Sequence, residues 1–354
     1  MTTPRRTNAS RRTPSHDGNA IDNFDAGATW RRLLSGSWVG IVVATIILFA
    51  LSPAIAQGSL GSAPLLSMLP FAAVLAMAAA GQTLVVQQRG LDLSVPGMIA
   101  LAAALCTCMV QSHGWSAWLA VTIAVIAPAL VGLVNGVLVA VARVMPLVVT
   151  LGMNAVLLGT VLAISGGSPA TAPGGLSRFS VDRTFGIPNT FIIAVVMLAV
   201  GGIITKRSAV GRRLTYIGVS MPTASALGIR VTLYQVVAYG FAGLAYGAAG
   251  VLLAGYTRTP GLFIGDSYVL PTVAAVVLGG TAMTGGLASI VASGVGALFL
   301  TQLGQLLRSL GWNDAQQLIA QAAVLAAVVL LRQAAPALRG LGQRRRRRAL
   351  PTAG

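Results

Sequence analysis

Long apolar segments alternate with short polar or basic ones along most of the chain. Several windows of eighteen or more residues carry no charge, and each is long enough to cross about 30 Å of hydrocarbon as a helix. Apolar and polar positions do not alternate with the period of two that membrane-barrel strands require. We therefore predict an all-α integral membrane protein with about ten transmembrane helices. These lie near residues 37–57, 64–86, 93–111, 116–142, 145–166, 187–205, 231–254, 269–283, 286–306 and 315–333.

The eighth segment is the weakest of the ten. Its sequence, PTVAAVVLGGTAMTGG at 271–286, is short and interrupted by glycines, so a re-entrant element is the alternative to a full span. A re-entrant element would change the parity of the topology. Ten spans divide into five and five, and an odd number of spans per half would make any internal repeat an inverted one.

The distribution of basic residues favours one topology. With both termini in the cytoplasm, only four of the 24 Lys and Arg residues fall on the outer side: Arg178, Arg183, Arg258 and Arg308. Cytoplasmic loops carry the excess of Lys and Arg in membrane proteins, so this bias supports an even number of spans. The net charge of +17 is then mostly topological. For the run QRRRRR at 343–348 we predict a role in topology or in contact with membrane lipid, and not in binding nucleic acid.

Two basic tails flank the apolar region. Residues 1–36 are rich in Ser, Thr, Arg, Asn and Asp and cannot bury enough apolar surface to fold, so we predict a disordered cytoplasmic tail. Residues 37–333 form the predicted transmembrane domain, and residues 334–354 form a second basic cytoplasmic tail.

The side chains that enzymes and proton pumps need are scarce. The seven acidic residues are all Asp, there are two His, and the sequence pairs none of them as an acid–base couple, a metal cluster or a nucleophile with its base. The predicted spans place no ionisable side chain near a midplane, which disfavours proton coupling, whereas sodium coupling through main-chain carbonyls remains open. The single lysine, Lys206, is not in a phosphate-binding loop. We predict no enzyme activity, metal or cofactor here, and if transport is driven by ATP, the ATPase is another polypeptide.

The longest predicted cytoplasmic loop is KRSAVGRRLTYIGVSMPTASALGIRV, at 206–231. Ser220 suits a helix N-cap, Pro222 suits the first turn and Gly228 suits a helix stop, so two helical turns are predicted over 222–227. A docking helix and an ordinary solvated turn both fit this pattern. The docking helix would present a flat face of small side chains, formed by Ala224, Ser225 and Ala226.

Asp92 and Ser94 stand just before the third predicted span. An oxygen at either position can accept hydrogen bonds from the free amides of the first turn, which contains Pro96. Negative charge is also favoured at a helix start. We predict a structural helix-entry role for both residues, with a gate or pathway role for Asp92 as the alternative.

Neutral hydrogen-bonding side chains and paired glycines are the candidates for a translocation path, because interrupted helices expose backbone groups that suit neutral polyols. Close helix packing is the alternative for glycines in general, and it is the favoured explanation for Gly243 and Gly247. The path candidates are Asn135, Thr150, Asn154, Gly279, Gly280 and Gln302.

Four stretches, taken together and in this order, carry a family resemblance. They are RGLDLSVPGMIAL at 89–101, NGVLVAVARVMPLVVTLG at 135–152, IGVSMPTASALGIRV at 217–231 and GDSYVLPTVAAVVLGGTAMTGG at 265–286. The chain between about 65 and 333 resembles the ribose/xylose/arabinose/galactoside permeases of bacterial ABC importers, the membrane-spanning subunits of the branched-chain amino acid and sugar type. It departs from the family's common pattern at Arg89 and Pro96, where glycines are usual, and at Val219, where Asn is frequent.

The resemblance implies the membrane-spanning subunit of an ATP-driven importer in the bacterial inner membrane. Its substrate would be a monosaccharide such as ribose, xylose or galactose, or a related polyol, with a nucleoside or an autoinducer-like furanose as alternatives. The implied protein partners are an ABC ATPase subunit, a periplasmic or lipid-anchored sugar-binding protein, and a second permease copy or paralogue. A self-sufficient secondary transporter of a neutral solute and a membrane scaffold are the rival functions.

The resemblance also implies two contact regions. The ATPase would contact the cytoplasmic loop through Gly218, Pro222, Ala224, Ser225 and Gly228. The binding protein would dock on the longest outer loops, where solvated loop charge is the alternative explanation for Arg178, Asp182, Arg258 and Asp266.

Overall fold

The computed structural model describes residues 38–327 and 330, so both predicted tails, 1–36 and 334–354, lie outside it. Within this part the chain is helical except for loops and one short antiparallel pair, β1 (Arg183–Thr184) with β2 (Ile187–Pro188). The helices are α1 (Val39–Ile55), α2 (Ser62–Gln87), α3 (Val95–His113), α4 (Ala117–Ala140), α5 (Pro146–Ser165), α6 (Gly174–Val181), α7 (Asn189–Arg207), α8 (Ala209–Val219), α9 (Met221–Ala226), α10 (Val231–Thr257), α11 (Val269–Leu278), α12 (Ile290–Ser309) and α13, which is described over 314–327.

A helix overlaps each predicted span, but not every helix is long enough to cross a membrane. In the described part of the chain seven are long and apolar enough: α2, α3, α4, α5, α7, α10 and α12. The protein is therefore a multi-pass membrane protein, while the count of ten spans stays a prediction. With 10 residues, α11 covers only about 15 Å and is too short for a full span.

Small residues let the central helices approach closely. A Cβ atom added to Gly243 of α10 would lie 2.1 Å from the carbonyl oxygen of Pro128 in α4, and one on Gly247 would lie 2.8 Å from that of Val125. These backbones touch because neither glycine has a side chain, which is the packing that G-x-x-x-G spacing favours. The packing explanation is thus confirmed for both glycines.

The start of α3 meets the turn before α11 inside the bundle. Residues 88–94 turn back along α2, and the main chain of Asp92 reaches Gln82, five residues or about 7 Å before the end of α2. From the other direction, a Cβ on Gly265 would lie 2.1 Å from the carbonyl oxygen of Pro96. Helix α3 therefore begins away from the bundle ends, as interrupted helices do in many transporters.

The bundle has two ends with different components. One, which we call the α8–α9 end, also contains the end of α2 and the loop 279–289, since the Gly286 amide donates to the Gln87 carbonyl at 2.9 Å. The other, which we call the opposite end, contains the start of α2 and the end of α10. There Tyr256 Oη donates to the Ser67 carbonyl at 3.3 Å, and the Tyr256 ring meets Phe71 edge-on at 5.4 Å between centroids.

Candidate functional site

The predicted cytoplasmic loop folds into two short helices with their own caps. Ser208 Oγ accepts from the Gly211 amide at the start of α8, and Ser220 Oγ accepts from the Thr223 amide at the start of α9. Gly228 follows α9 with φ +77°, a left-handed conformation that favours glycine. The predicted helix, its N-cap and its glycine stop are confirmed, with each end displaced by one residue.

The exposed face of α9 differs from the predicted one. Pro222, Ser225 and Gly228 are exposed, whereas Ala224 is only 1% exposed and Gly218 is buried. Successive residues of a helix point about 100° apart, so three consecutive side chains cannot share one flat face. The prediction that Ala224 faces outward beside Ser225 and Ala226 is wrong.

Gly218 lies in a junction of three main chains at the α8–α9 end. A Cβ at this position would lie 2.1 Å from the Gln87 carbonyl oxygen and 2.4 Å from the Gly286 amide nitrogen. The end of α8 therefore rests directly on the end of α2 and on the loop 279–289. Any movement of α8 has to be shared by these two neighbours, because no flexible side chain separates the backbones.

Arg89 joins the same junction from the segment after α2. Its Nε donates to the Gly218 carbonyl at 3.0 Å and its Nη2 donates to the Val219 carbonyl. These carbonyls end α8, where they lack helical partners and where positive charge is favoured. Arg89 has φ +65°, a left-handed conformation that costs a residue with a Cβ about 1–2 kcal/mol. The sequence assigned Arg89 only to a side of the membrane and missed this contact.

A buried polar cluster surrounds the start of α3. The amide and hydroxyl of Ser94 both donate to Asp92 Oδ1, at 3.0 and 2.5 Å, and Asn135 Nδ2 donates to Ser94 Oγ at 3.0 Å. Gln82 is also buried. In the amide orientation that satisfies both of its polar atoms, it accepts from the Asp92 amide and donates to the Asp92 carbonyl, each at 3.2 Å. The cluster fixes the segment that leads into α3.

Neither Asp92 nor Ser94 caps α3 in the predicted way. Ser94 is the N-cap residue, but its φ and ψ are −86° and 1°, not the extended values that direct a side chain at the first turn. Its hydroxyl donates to Asp92 instead. The first-turn amide of Gly97 donates to Asn154 Oδ1 of α5 at 2.8 Å. The predicted cap is therefore wrong, and a residue from another helix supplies it.

The six path candidates divide into two groups. Asn135, Thr150 and Asn154 converge on residues 91–97, where Thr150 Oγ1 donates to the Leu91 carbonyl at 3.3 Å. The other three lie apart: Gln302 donates to Ser52 of α1 at 2.9 Å, Gly279 packs on the backbone of Ser293, and Gly280 follows α11 with φ +92°. The role of these residues in a translocation path stays a prediction.

The four candidate docking residues are all exposed: Arg178, Asp182, Arg258 and Asp266. The loops that carry them touch each other, since the Ala172 amide donates to the Arg258 carbonyl at 2.7 Å. These loops adjoin the opposite end of the bundle. Docking of a partner there stays a prediction.

The opposite end also contains a cavity of about 450 Å³. Its apolar lining includes Phe71, Leu75 and Leu253. Its polar lining comes from the turn before α11 and from α12 and α13, namely Ser267, Thr301, Arg308, Asp314, Gln317 and Gln321. Sequence reasoning missed this cavity because five separate segments build it. One signal was present: Asp314, Gln317 and Gln321, spaced i, i+3 and i+7, fall on one face of a helix.

The chain is similar to a family model and to several import permeases. The family model described as branched-chain amino acid transport system / permease component matches residues 64–331. The ribose import permease protein RbsC of Bacillus subtilis is 32% identical over 299 residues, which cover 84% of this chain and 91% of that protein. The fructose import permease protein FruF of Bifidobacterium longum is 31% identical, covering 90% and 94%.

A relative with a different printed substrate is also similar. The autoinducer 2 import system permease protein LsrD of Escherichia coli is 31% identical over 255 residues, which cover 70% of this chain and 77% of that protein. No solved structure matches the chain. These relatives are transport permeases rather than enzymes.

Proposed function

Because the chain belongs to the permease-component family of branched-chain amino acid transport systems and matches sugar import permeases, we propose that it is the membrane-spanning subunit of an ATP-driven sugar importer. The similarity to a ribose import permease over 84% of the chain carries this proposal. The family and the apolar helices agree with the predicted place in the bacterial inner membrane.

We assign the α8–α9 end to the cytoplasm. The loop 206–231 carries Lys206, Arg207, Arg212, Arg213 and Arg230, and an excess of basic residues is typical of cytoplasmic loops. Both termini are then cytoplasmic if the spans number ten.

An ABC ATPase subunit would bind the exposed part of α9, around Pro222, Ser225 and Gly228. The junction at Gly218 supports this assignment, since movement of α8 would pass directly to α2 and to the loop 279–289. ATP is used by the ATPase subunit and not by this chain. A second permease copy or a paralogue would complete the membrane part.

The substrate class is a monosaccharide or a related polyol. The printed names of the relatives cover ribose, fructose and autoinducer 2, so several small neutral solutes remain candidates. A periplasmic or lipid-anchored binding protein would deliver the solute to the opposite end, through the loops that carry Arg178, Asp182, Arg258 and Asp266.

Reconstitution tests the proposal. The chain is purified with the ATPase that copurifies with it, placed in proteoliposomes, and assayed for ATP hydrolysis and for uptake of a panel of sugars in the presence of the binding protein. We expect uptake that requires ATP, and stimulation of hydrolysis by the sugar-loaded binding protein. Uptake by this chain alone along a sodium gradient would contradict the proposal and support a secondary transporter.

A pair of variants separates coupling from folding. Ser225→Arg places a bulky charge on the exposed face of α9 and should abolish ATPase copurification. The matched Ser168→Arg, at an exposed position of the opposite end, should leave copurification intact. Equal loss in both variants would remove the special role of α9.

A further inference from the structure

Part of the polar lining of the cavity at the opposite end has no hydrogen-bond partner within the described part of the chain, although Thr301 and Gln317 each donate to a backbone carbonyl. Among the described residues, the side chains of Ser267, Arg308, Asp314 and Gln321 make no hydrogen bond or ion pair. Ser267, Arg308 and Asp314 are exposed and Gln321 is half-buried, so these groups are accessible to water or to a ligand that enters the cavity.

The polar ends of three side chains lie around Gly304 on the cavity surface. A Cβ atom on Gly304 would lie 3.5 Å from Gln321 Nε2, 3.6 Å from Gln317 Oε1 and 4.0 Å from Arg308 Nη2. An amide nitrogen, an amide oxygen and a guanidinium thus offer donors and an acceptor around a position that has no side chain. This arrangement suits a ligand with several hydroxyl groups, each of which both donates and accepts.

Charge and size narrow the ligand class. Among the described residues one Arg and one Asp line the cavity, so their formal charges cancel and an anion or a cation gains no net attraction. The volume of about 450 Å³ lies in the range of about 300–1,000 Å³ that is usual for small-molecule sites. Phe71, Leu75 and Leu253 supply apolar surface for the carbon face of a ring.

From these observations we propose that this cavity is the entry site at which the permease receives a neutral monosaccharide or polyol before it moves toward the start of α3. The proposal rests on the proposed function, which it extends by naming the site. Ser267, Tyr268 and Pro271 bring the start of the interrupted helix α11 to the cavity wall, and interrupted helices commonly adjoin solute sites.

Cysteine protection tests the site without the ATPase. Thr301→Cys places a thiol on the cavity wall, and Ser309→Cys places one at the exposed end of the same helix outside the cavity. The natural thiols, Cys106 and Cys108, are buried. We expect a membrane-impermeant maleimide to label both variants from outside. D-ribose at high concentration, or another sugar of a neutral panel, should at least halve the labelling rate of Thr301→Cys only. Labelling that no sugar slows, or none from outside, would overturn the proposal.

A substitution that fills the cavity gives a second test, in which sugar uptake by the reconstituted importer is measured. Gly304→Leu projects a side chain toward the polar ends of the three side chains, whereas the added methyl of Gly304→Ala makes only ordinary contacts. Uptake should be lost in Gly304→Leu and kept in Gly304→Ala, with equal amounts of folded protein. If the wild-type protein imports sugar with ATP and Gly304→Leu does so equally well, only the cavity proposal fails. If Thr301→Cys is protected but the wild-type protein does not use ATP, the proposed function fails and the site stands.

Discussion

The two ends of the bundle differ in packing: backbones touch directly at the α8–α9 end, whereas polar side chains line a cavity at the opposite end. At the α8–α9 end, main chains touch directly at Gly218, and Arg89 uses its side chain to tie α8 to the segment after α2. At the opposite end, polar side chains such as Asp314 and Gln321 have no hydrogen-bond partner among the described residues and line an open cavity. Under the proposed function, the α8–α9 end would transmit movement between elements, whereas the opposite end would receive a solute.

At the α8–α9 end, the largest effect is expected when a side chain is introduced at Gly218. Gly218→Val places atoms within 2.1 Å of the Gln87 carbonyl, so the backbones must separate, and we expect destabilisation of about 4 kcal/mol or more. Thermal unfolding of the purified protein measures the loss.

The matched control for that variant is Gly261→Val at the opposite end, where nothing lies within 4 Å of an added Cβ. Its effect should stay within about 0.5 kcal/mol. If both variants lost the same stability, the contrast between the ends would disappear.

Arg89 gives a smaller and more specific effect. Arg89→Gly removes two hydrogen bonds from a charged donor, worth about 1.5–3 kcal/mol each when the donor is ionised, but it also relieves a left-handed strain of about 1–2 kcal/mol. Arg89→Ala loses the same hydrogen bonds and keeps the strain. The Arg89→Ala variant should therefore be less stable than the Arg89→Gly variant by about 1 kcal/mol.

Transport measurements test whether Arg89 transmits movement between α8 and α2 or only stabilises the fold. In proteoliposomes, sugar imported per ATP hydrolysed should fall in Arg89→Gly, and Arg89→Lys, which keeps the charge, should recover part of it. An unchanged ratio in Arg89→Gly would show that the tie does not transmit movement.

The smallest effect on stability is expected for a cavity-lining residue at the opposite end. Gln321→Ala removes a side chain that has no hydrogen bond within the described part of the chain, so unfolding should change by no more than about 0.5 kcal/mol. The sugar concentration for half-maximal uptake should nevertheless rise. A large loss of stability together with normal uptake would mean that Gln321 supports the fold and not the solute.

Local features could be predicted from the sequence. The apolar segments located the helices, the glycine spacing on α10 indicated close packing, and Ser220 and Gly228 marked the ends of α9. Each of these depends on residues a few positions apart, so a short stretch of sequence contains the whole physical cause.

Features that depend on distant segments could not be predicted. The amide of Gly97 finds its acceptor on Asn154, and Arg89 reaches carbonyls 129 and 130 positions away. The sequence predicted a cap from the adjacent residues because those were the only partners visible within one turn. The cavity was missed for the same reason, since no one of its five segments encloses any volume alone.

Cross-linking from the two ends tests the central claim most directly. A cysteine at Ser225→Cys on α9, or at Ser168→Cys at the opposite end, is treated with a short bifunctional thiol reagent in membranes that contain the ATPase subunit. The account predicts a cross-link to the ATPase from Ser225→Cys and none from Ser168→Cys. A cross-link formed only from Ser168→Cys would show that the ends have been assigned the wrong way round.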